Sequence, residues 1–302
     1  MTNQLYKRQA ALLLDVLPEV ARETCFAMHG GTAINLFVRE MPRVSVDIDL
    51  TYIPIEDRQT TLRNIAKALE RIRSRIVKMI PSVQVVHKQQ VGKLLISAQG
   101  TDIKLEANLV KRGVLSPPQT MPLCKKAQDQ FEVFCTMPIV PIGQLYGGKI
   151  CAALDRQHPR DLFDVKYLLE NEGFTEEIKT GFLFGLVSGG RPILELIHPN
   201  LQDQRLAMVN QFDGMSDESF SYSSYEEVRE KLIKTVKHGL TETDKEFLVS
   251  VKNLEPRWEL YDFEQFPAMQ WKLQNLVRLK ETNLKKHQDQ LEALKTHFWG
   301  TT

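Results

Sequence analysis

The 302-residue sequence predicts an α+β protein in which strands and helices alternate up to about residue 140 and helices alone follow. Three observations lead there. Apolar/polar alternation with the period of a strand is confined to the first part, in residues 46–52 and in runs near 82–88, 92–98 and 101–110. From Ile142 onward the periodicity is helical in almost every segment. Between these, His29 to Tyr52 (HGGTAINLFVREMPRVSVDIDLTY) places a glycine pair at the head of a short helix and then a strand carrying two aspartates. The sequence therefore divides into residues 1–140, a core, and residues 141–302, a helical domain.

In chain order, residues 4–18 read as a helix with Leu5, Ala10, Leu12, Leu13, Val16 and Leu17 inward. Gly30 and Gly31 permit a tight turn and close backbone approach, and Thr32 is placed to cap a helix from Ala33 to Glu40. A glycine turn feeding a helix presents free N–H groups, for which phosphate is a natural guest. In the strand that follows, Asp47 and Asp49 share one face while Val46, Ile48 and Leu50 share the other. Adjacent carboxylates repel by about 4 kcal/mol at an effective dielectric near 20, so a proton, a salt bridge or a hard cation such as Mg²⁺ must offset them. Acid-x-acid spacing is itself weak, because 38 acids in 302 residues produce it by chance about five times.

Residues 56–80 form a helix with Lys67, Arg71, Arg75 and Lys78 on one side, either a solvated face or a track for a phosphate backbone. In the run at 101–110, Glu106 lies on a polar face. A third carboxylate joins the aspartates if that strand lies beside theirs, and the trio would demand metal. SPPQTMP at 116–122 reads as a surface loop and Phe131 to Val140 as a short strand. Gly147 to Leu169 (GGKICAALDRQHPRDLFDVKYLL) interleaves Lys149, Arg156 and Arg160 with Asp155, Asp161 and Asp164. Pro159 suits a helix's first turn, and Asp161 then falls at its N-terminus. This stretch reads either as a capped helix with local ion pairs or as a lysine and an arginine reaching polyphosphate, oriented by an aspartate. Ser188–Pro192 is a plain turn between helices. Residues 240–252 are helical, as are 271–298, where Val277, Leu284, Leu291 and Phe298 recur every seven residues as a packing seam. Lys272, Arg278, Lys280, Lys285 and Lys286 offer a basic wall beside it.

Composition sets limits on function. At 42% hydrophobic the chain can bury a large core, and a net charge of +1 argues against a bulk electrostatic grip on nucleic acid. Cys25, Cys124, Cys135 and Cys151 follow no metal or disulfide spacing. No signal-peptide layout and no run of about 18 apolar residues is present, so a cytoplasmic protein with no membrane attachment is expected.

The glycine pair with DIDL, the acidic strand downstream and GGKICAALDRQHPRDLFDVKYLL resemble the AbiEii/AbiGii family of nucleotidyltransferase toxins over roughly residues 25–170, and LTETDKEFLVSVKNLEPRWELYDF resembles its helical C-terminal region. The resemblance implies a polymerase-β-like nucleotidyltransferase core, a mixed sheet flanked by helices, followed by the helical domain, which would complete the active site and carry the acceptor or partner surface. It also implies that Gly30, Gly31 and Thr32 approach an NTP's triphosphate and that Asp47, Asp49 and Glu106 hold Mg²⁺ (or Mn²⁺). Lys149, Arg156, Arg160 and Asp164 would then serve the nucleotide, and Asp161 would complete the catalytic set with Lys149. The chain departs from the family where Gly31 replaces a frequent serine and Glu106 a frequent aspartate. The implied activity is transfer of a nucleotide to an acceptor hydroxyl, the tRNA 3′ end in some relatives, by the toxin of a toxin–antitoxin or phage-defence pair. The cognate antitoxin and an RNA acceptor are the implied partners. Ser45, on the face of Asp47, is a candidate phosphorylation site. Two other readings are a non-catalytic nucleotide- or RNA-binding module on the same fold, and a metal-dependent glycosyltransferase, which leaves the glycine pair unexplained.

Overall fold

The computed structural model describes residues 4–300, which form two units. The first runs through Leu145 and takes back Val209–Phe220; the second comprises Tyr146–Met208 and the chain from Ser221 onward. A single cut at 140 misses that return. Within it, Val44 N–H donates to the Met215 carbonyl at 2.7 Å and Ser216 Oγ to the Pro42 carbonyl at 2.8 Å, while Phe212 and Phe220 pack edge to face.

The first unit is built on a mixed seven-stranded sheet in the order β3-β4-β5-β2-β1-β7-β6. Its strands are β1 (Phe26–His29), β2 (Asp47–Tyr52), β3 (Gln84–Lys88), β4 (Lys93–Ala98), β5 (Thr101–Asn108), β6 (Gln119–Pro122) and β7 (Thr136–Ile139). β2 lies centrally, antiparallel to β1 and parallel to β5. Helices α1 (Gln4–Ala21) and α3 (Arg58–Met79) pack on the sheet and bury the apolar sides of β2, β4 and β5, including Ile48, Leu50, Leu94, Ile96 and Leu105. Asp57 caps α3 by accepting from Thr60 N–H at 3.0 Å. The basic track expected on α3 is partly spent, because Arg71 and Arg75 both pair with buried Glu23.

Three sequence expectations change here. The helix after the glycines begins at Gly30, as α2 (Gly30–Ala33) running into a π-turn over Ile34–Val38, so Thr32 lies inside it and caps nothing. Residues 116–122 are only partly a loop, since β6 is an edge strand, where proline is tolerated. Phe131 ends a helix, α4 (Lys125–Phe131), rather than starting a strand.

The second unit is helical: most of α5 (Ile142–Arg156), α6 (Pro159–Asn171), α7 (Glu176–Ser188), α8 (Ile193–Ile197), part of α9 (Arg205–Gln211), α10 (Tyr222–Gly239), α11 (Glu242–Lys252), α12 (Pro267–Thr282) and α13 (Leu284–Trp299). α5 and α7 touch backbone to backbone; a Cβ on Gly147 would fall 2.1 Å from the Gly181 carbonyl carbon. The continuous helix expected over 271–298 breaks at Asn283, whose side chain caps α13 through Lys286 N–H. The seven-residue seam fails with it, because Val277 and Leu284 are exposed and only Leu291 of the four is buried. Lys272 drops out of the basic wall too, being buried with its ammonium on the Gly189 and Arg191 carbonyls.

Candidate active site

The site in the first unit starts from one backbone angle. Gly30 has φ +78°, a left-handed conformation that suits glycine, and a Cβ there would lie 2.6 Å from Asp49 Oδ2. The glycine turn and the second aspartate are thus in contact. Gly31 makes room for Arg43 in the same way, since its Cβ would meet Arg43 Nη2 at 2.7 Å and Ser45 Oγ at 3.2 Å. Thr32 Oγ1 donates to the Asp47 carbonyl and lies in hydrogen-bond contact with Ser45 Oγ at 2.9 Å, which pins the helix to the acidic strand. Asn35 Nδ2 holds the Gly31 carbonyl at 2.9 Å.

Asp47 and Asp49 stand half-buried on one face of β2, with Ile48 and Leu50 fully buried on the other. The strand pairing supplies the neighbours. Asp49 lies opposite His29 on one side and Glu106 on the other, and Asp47 lies opposite Lys104. The third acid is therefore adjacent, as the sequence required if β5 flanked β2. It is not free, however: Glu106 pairs with Lys93 at 3.0 Å and Lys104 at 3.4 Å. Among the described residues no group of three His, Cys, Asp or Glu side chains stands ready to hold a metal ion. As donors, the Asp47–Asp49 pair suits a hard divalent cation, while Glu106 is committed to lysine. A cavity of about 380 Å³ opens beside Asp47, lined by Leu95, Ser97, Asp102 and Lys104 among others. His29 is a structural neighbour, with Nδ1 3.0 Å from Thr51 Oγ1.

Ser45 is buried and its hydroxyl is engaged by Thr32, so the folded chain presents no accessible hydroxyl for phosphorylation there. Lys93 and Arg43 were missed in the sequence. Arg43 carried a signal, because the alternation Arg43-Val44-Ser45-Val46-Asp47 extends the acidic face backward beyond the strand.

In the second unit, His158 caps α6 by accepting from Arg160 N–H at 3.1 Å, and Pro159 takes the first helical position. Asp161 follows in the first turn. Lys149 from α5 lies buried between Asp161 and Asp164, 2.9 Å from each. Arg156, expected at the nucleotide, grips Asp161 with Nε at 2.5 Å and Nη2 at 3.0 Å. Burial pushes the Asp161 carboxyl up, but Lys149 and Arg156 outweigh it and hold the group well below the usual carboxylate range. Two cations and two carboxylates close on one another.

Comparison with known proteins decides the family. The model of the nucleotidyl transferase AbiEii toxin, type IV toxin–antitoxin system, matches residues 11–275. The chain belongs to that family. It is thus a nucleotidyltransferase toxin of a type IV system, which implies an antitoxin partner. No curated protein matches by sequence. Among solved structures, the chain is similar to MenT4, a nucleotidyltransferase toxin from Mycobacterium tuberculosis H37Rv, with a TM-score of 0.59 and 14% identity, covering 91% of this chain and 99% of that one. This likeness shows the expected α+β fold, a mixed sheet flanked by helices and followed by a helical region. None of the helices described is long and apolar enough to cross a membrane.

Proposed function

We propose that this AbiEii-family toxin transfers a nucleotide from an NTP to the 3′-terminal hydroxyl of tRNA in a Mg²⁺-dependent reaction, with Mn²⁺ as a substitute. The observation that carries the reading is the contact between Gly30 and Asp49, which sets a glycine turn that suits a phosphate against a carboxylate that suits a divalent cation. The N–H groups of Gly30 and Gly31 receive the triphosphate, and Arg43 and Thr32 brace that turn against β2. Asp47 and Asp49 would hold the cation, and Glu106 would join them by giving up Lys93 and Lys104. When bound, Mg²⁺ neutralises charge on the α-phosphate and the departing pyrophosphate. The acceptor oxygen bonds to the α-phosphorus as the bond to the β-phosphate oxygen breaks, so the chain's main task is position. The cavity beside Asp47 has the volume of a nucleotide-sized pocket. Within the second unit, Asp161 and Asp164 fix the position of Lys149, and Arg156 is held on Asp161.

Incubation with total RNA, Mg²⁺ and each α-labelled NTP in turn tests the proposal. The expected result is label on tRNA with at least one nucleotide, lost with Asp47→Ala. Unlabelled RNA with all four nucleotides would overturn it. Growth inhibition that survives Asp47→Ala would support a non-catalytic binding module instead.

A further inference from the structure

Far along the chain from the acidic strand, and wholly within the second unit, four helices meet around a cavity of about 80 Å³. Ile197 at the end of α8, Leu240 after α10 and Phe298 on α13 form its apolar wall; Lys237 on α10, Lys245 on α11 and His297 on α13 supply its charge. The His198 ring sits edge-on to His297 with centroids 5.3 Å apart. One carboxylate is near: Glu242 accepts from Lys245 at 2.6 Å and from Trp299 Nε1 at 2.7 Å. It balances Lys245. Lys237 is exposed and has no carboxylate partner among the described residues. Burial, and then His198, Lys237 and Lys245, push the His297 imidazole below its ordinary value. Positive charge is thus concentrated around a space larger than the roughly 30 Å³ share of one water, beside apolar walls that weaken screening.

We infer that this cavity is a phosphate-binding site, with the Lys237 and Lys245 ammonium groups and the His297 imidazolium as donors to the phosphate oxygens. A phosphate there offsets the surplus charge and accepts charge-assisted hydrogen bonds. Phosphate binding and His297 protonation favour each other by linkage, so bound phosphate raises the pH at which His297 takes up its proton. The phosphate can belong to an RNA backbone or to a small phosphorylated solute. The site stands apart from the transfer reaction and does not depend on it.

Histidine-selective NMR on the full chain, with His297 assigned by its loss in His297→Gln, tests this. The pH midpoint of His297 is measured in inorganic phosphate and in chloride at matched ionic strength. The expected result is a midpoint higher in phosphate by roughly 0.5 pH unit. That difference should disappear in Lys237→Ala, whose melting temperature should match the wild type because Lys237 is exposed. Equal midpoints in the two salts overturn the site, and so does a full difference in Lys237→Ala. A second arm measures total-RNA binding against salt. A log–log slope lowered by about one in Lys237→Ala identifies an RNA backbone phosphate. An unchanged slope, with the NMR difference present, identifies a free phosphate.

Discussion

In the first unit Asp47 and Asp49 stand half-buried on an open sheet face, held by backbone pairing and by a glycine turn. In the second, Asp161 and Asp164 are about 2% exposed and closed around Lys149, with Arg156 over one of them. Both regions combine paired aspartates with basic side chains, and both stand out in the sequence. They differ in what balances the charge. The second set is neutralised from within, so its geometry is self-supporting. In the first, position comes from the fold, while lysine reaches only Glu106. Carboxylates that the fold positions but does not neutralise are those left to bind something else.

The hardest test of this contrast is Asp49→Asn. Transfer of labelled nucleotide should fall on the order of 10³-fold, with the melting temperature near that of the wild type. A large loss of stability would make the open pair structural and erase the distinction. The converse is expected of Asp161→Asn, which strips a buried network and should lower unfolding free energy by about 3–5 kcal/mol in a denaturant titration. The pH dependence sharpens it. The folded-state pKa of Asp161 is depressed, so its stabilisation is complete above the unfolded value near 3.9 and is lost as pH falls through the lower folded value. The penalty of Asp161→Asn should therefore be equal at pH 7 and pH 5 and shrink below about pH 4. Gly30→Ala comes next. A left-handed φ and a Cβ pressed against Asp49 should cost roughly 1–2 kcal/mol, and transfer should fall with it. The smallest effect belongs to Lys93→Met with Lys104→Met, which frees Glu106 and should change stability by less than about 1 kcal/mol in a denaturant titration.

What the sequence revealed, and what it hid, follows from the range of the forces involved. The alternation in Val46–Tyr52 predicted which face the aspartates share, because strand geometry is local. The neighbour of that strand was left open, and register answered it by placing Glu106 opposite Asp49. Thr32 was misread because Gly30 itself opens the helix, which moves the threonine inward to the β2 backbone. The split at Asn283 shows a seven-residue repeat persisting through two helices without a seam. The pairing of Lys93 with Glu106 joins positions on different strands, and Lys149 with Asp161 and Asp164 joins two helices. Such partners are fixed by tertiary packing, which local periodicity does not encode.

The return of Val209–Phe220 to the first unit has a consequence for synthesis. The strand that bears the acids is flanked, through Arg43, Val44 and Pro42, by chain that leaves the ribosome more than 160 residues later. Folding from the N-terminus cannot finish that region on the first 145 residues alone. A truncation there should yield an incompletely packed sheet, and a growing polypeptide carries its aspartates unfinished until the distant segment arrives.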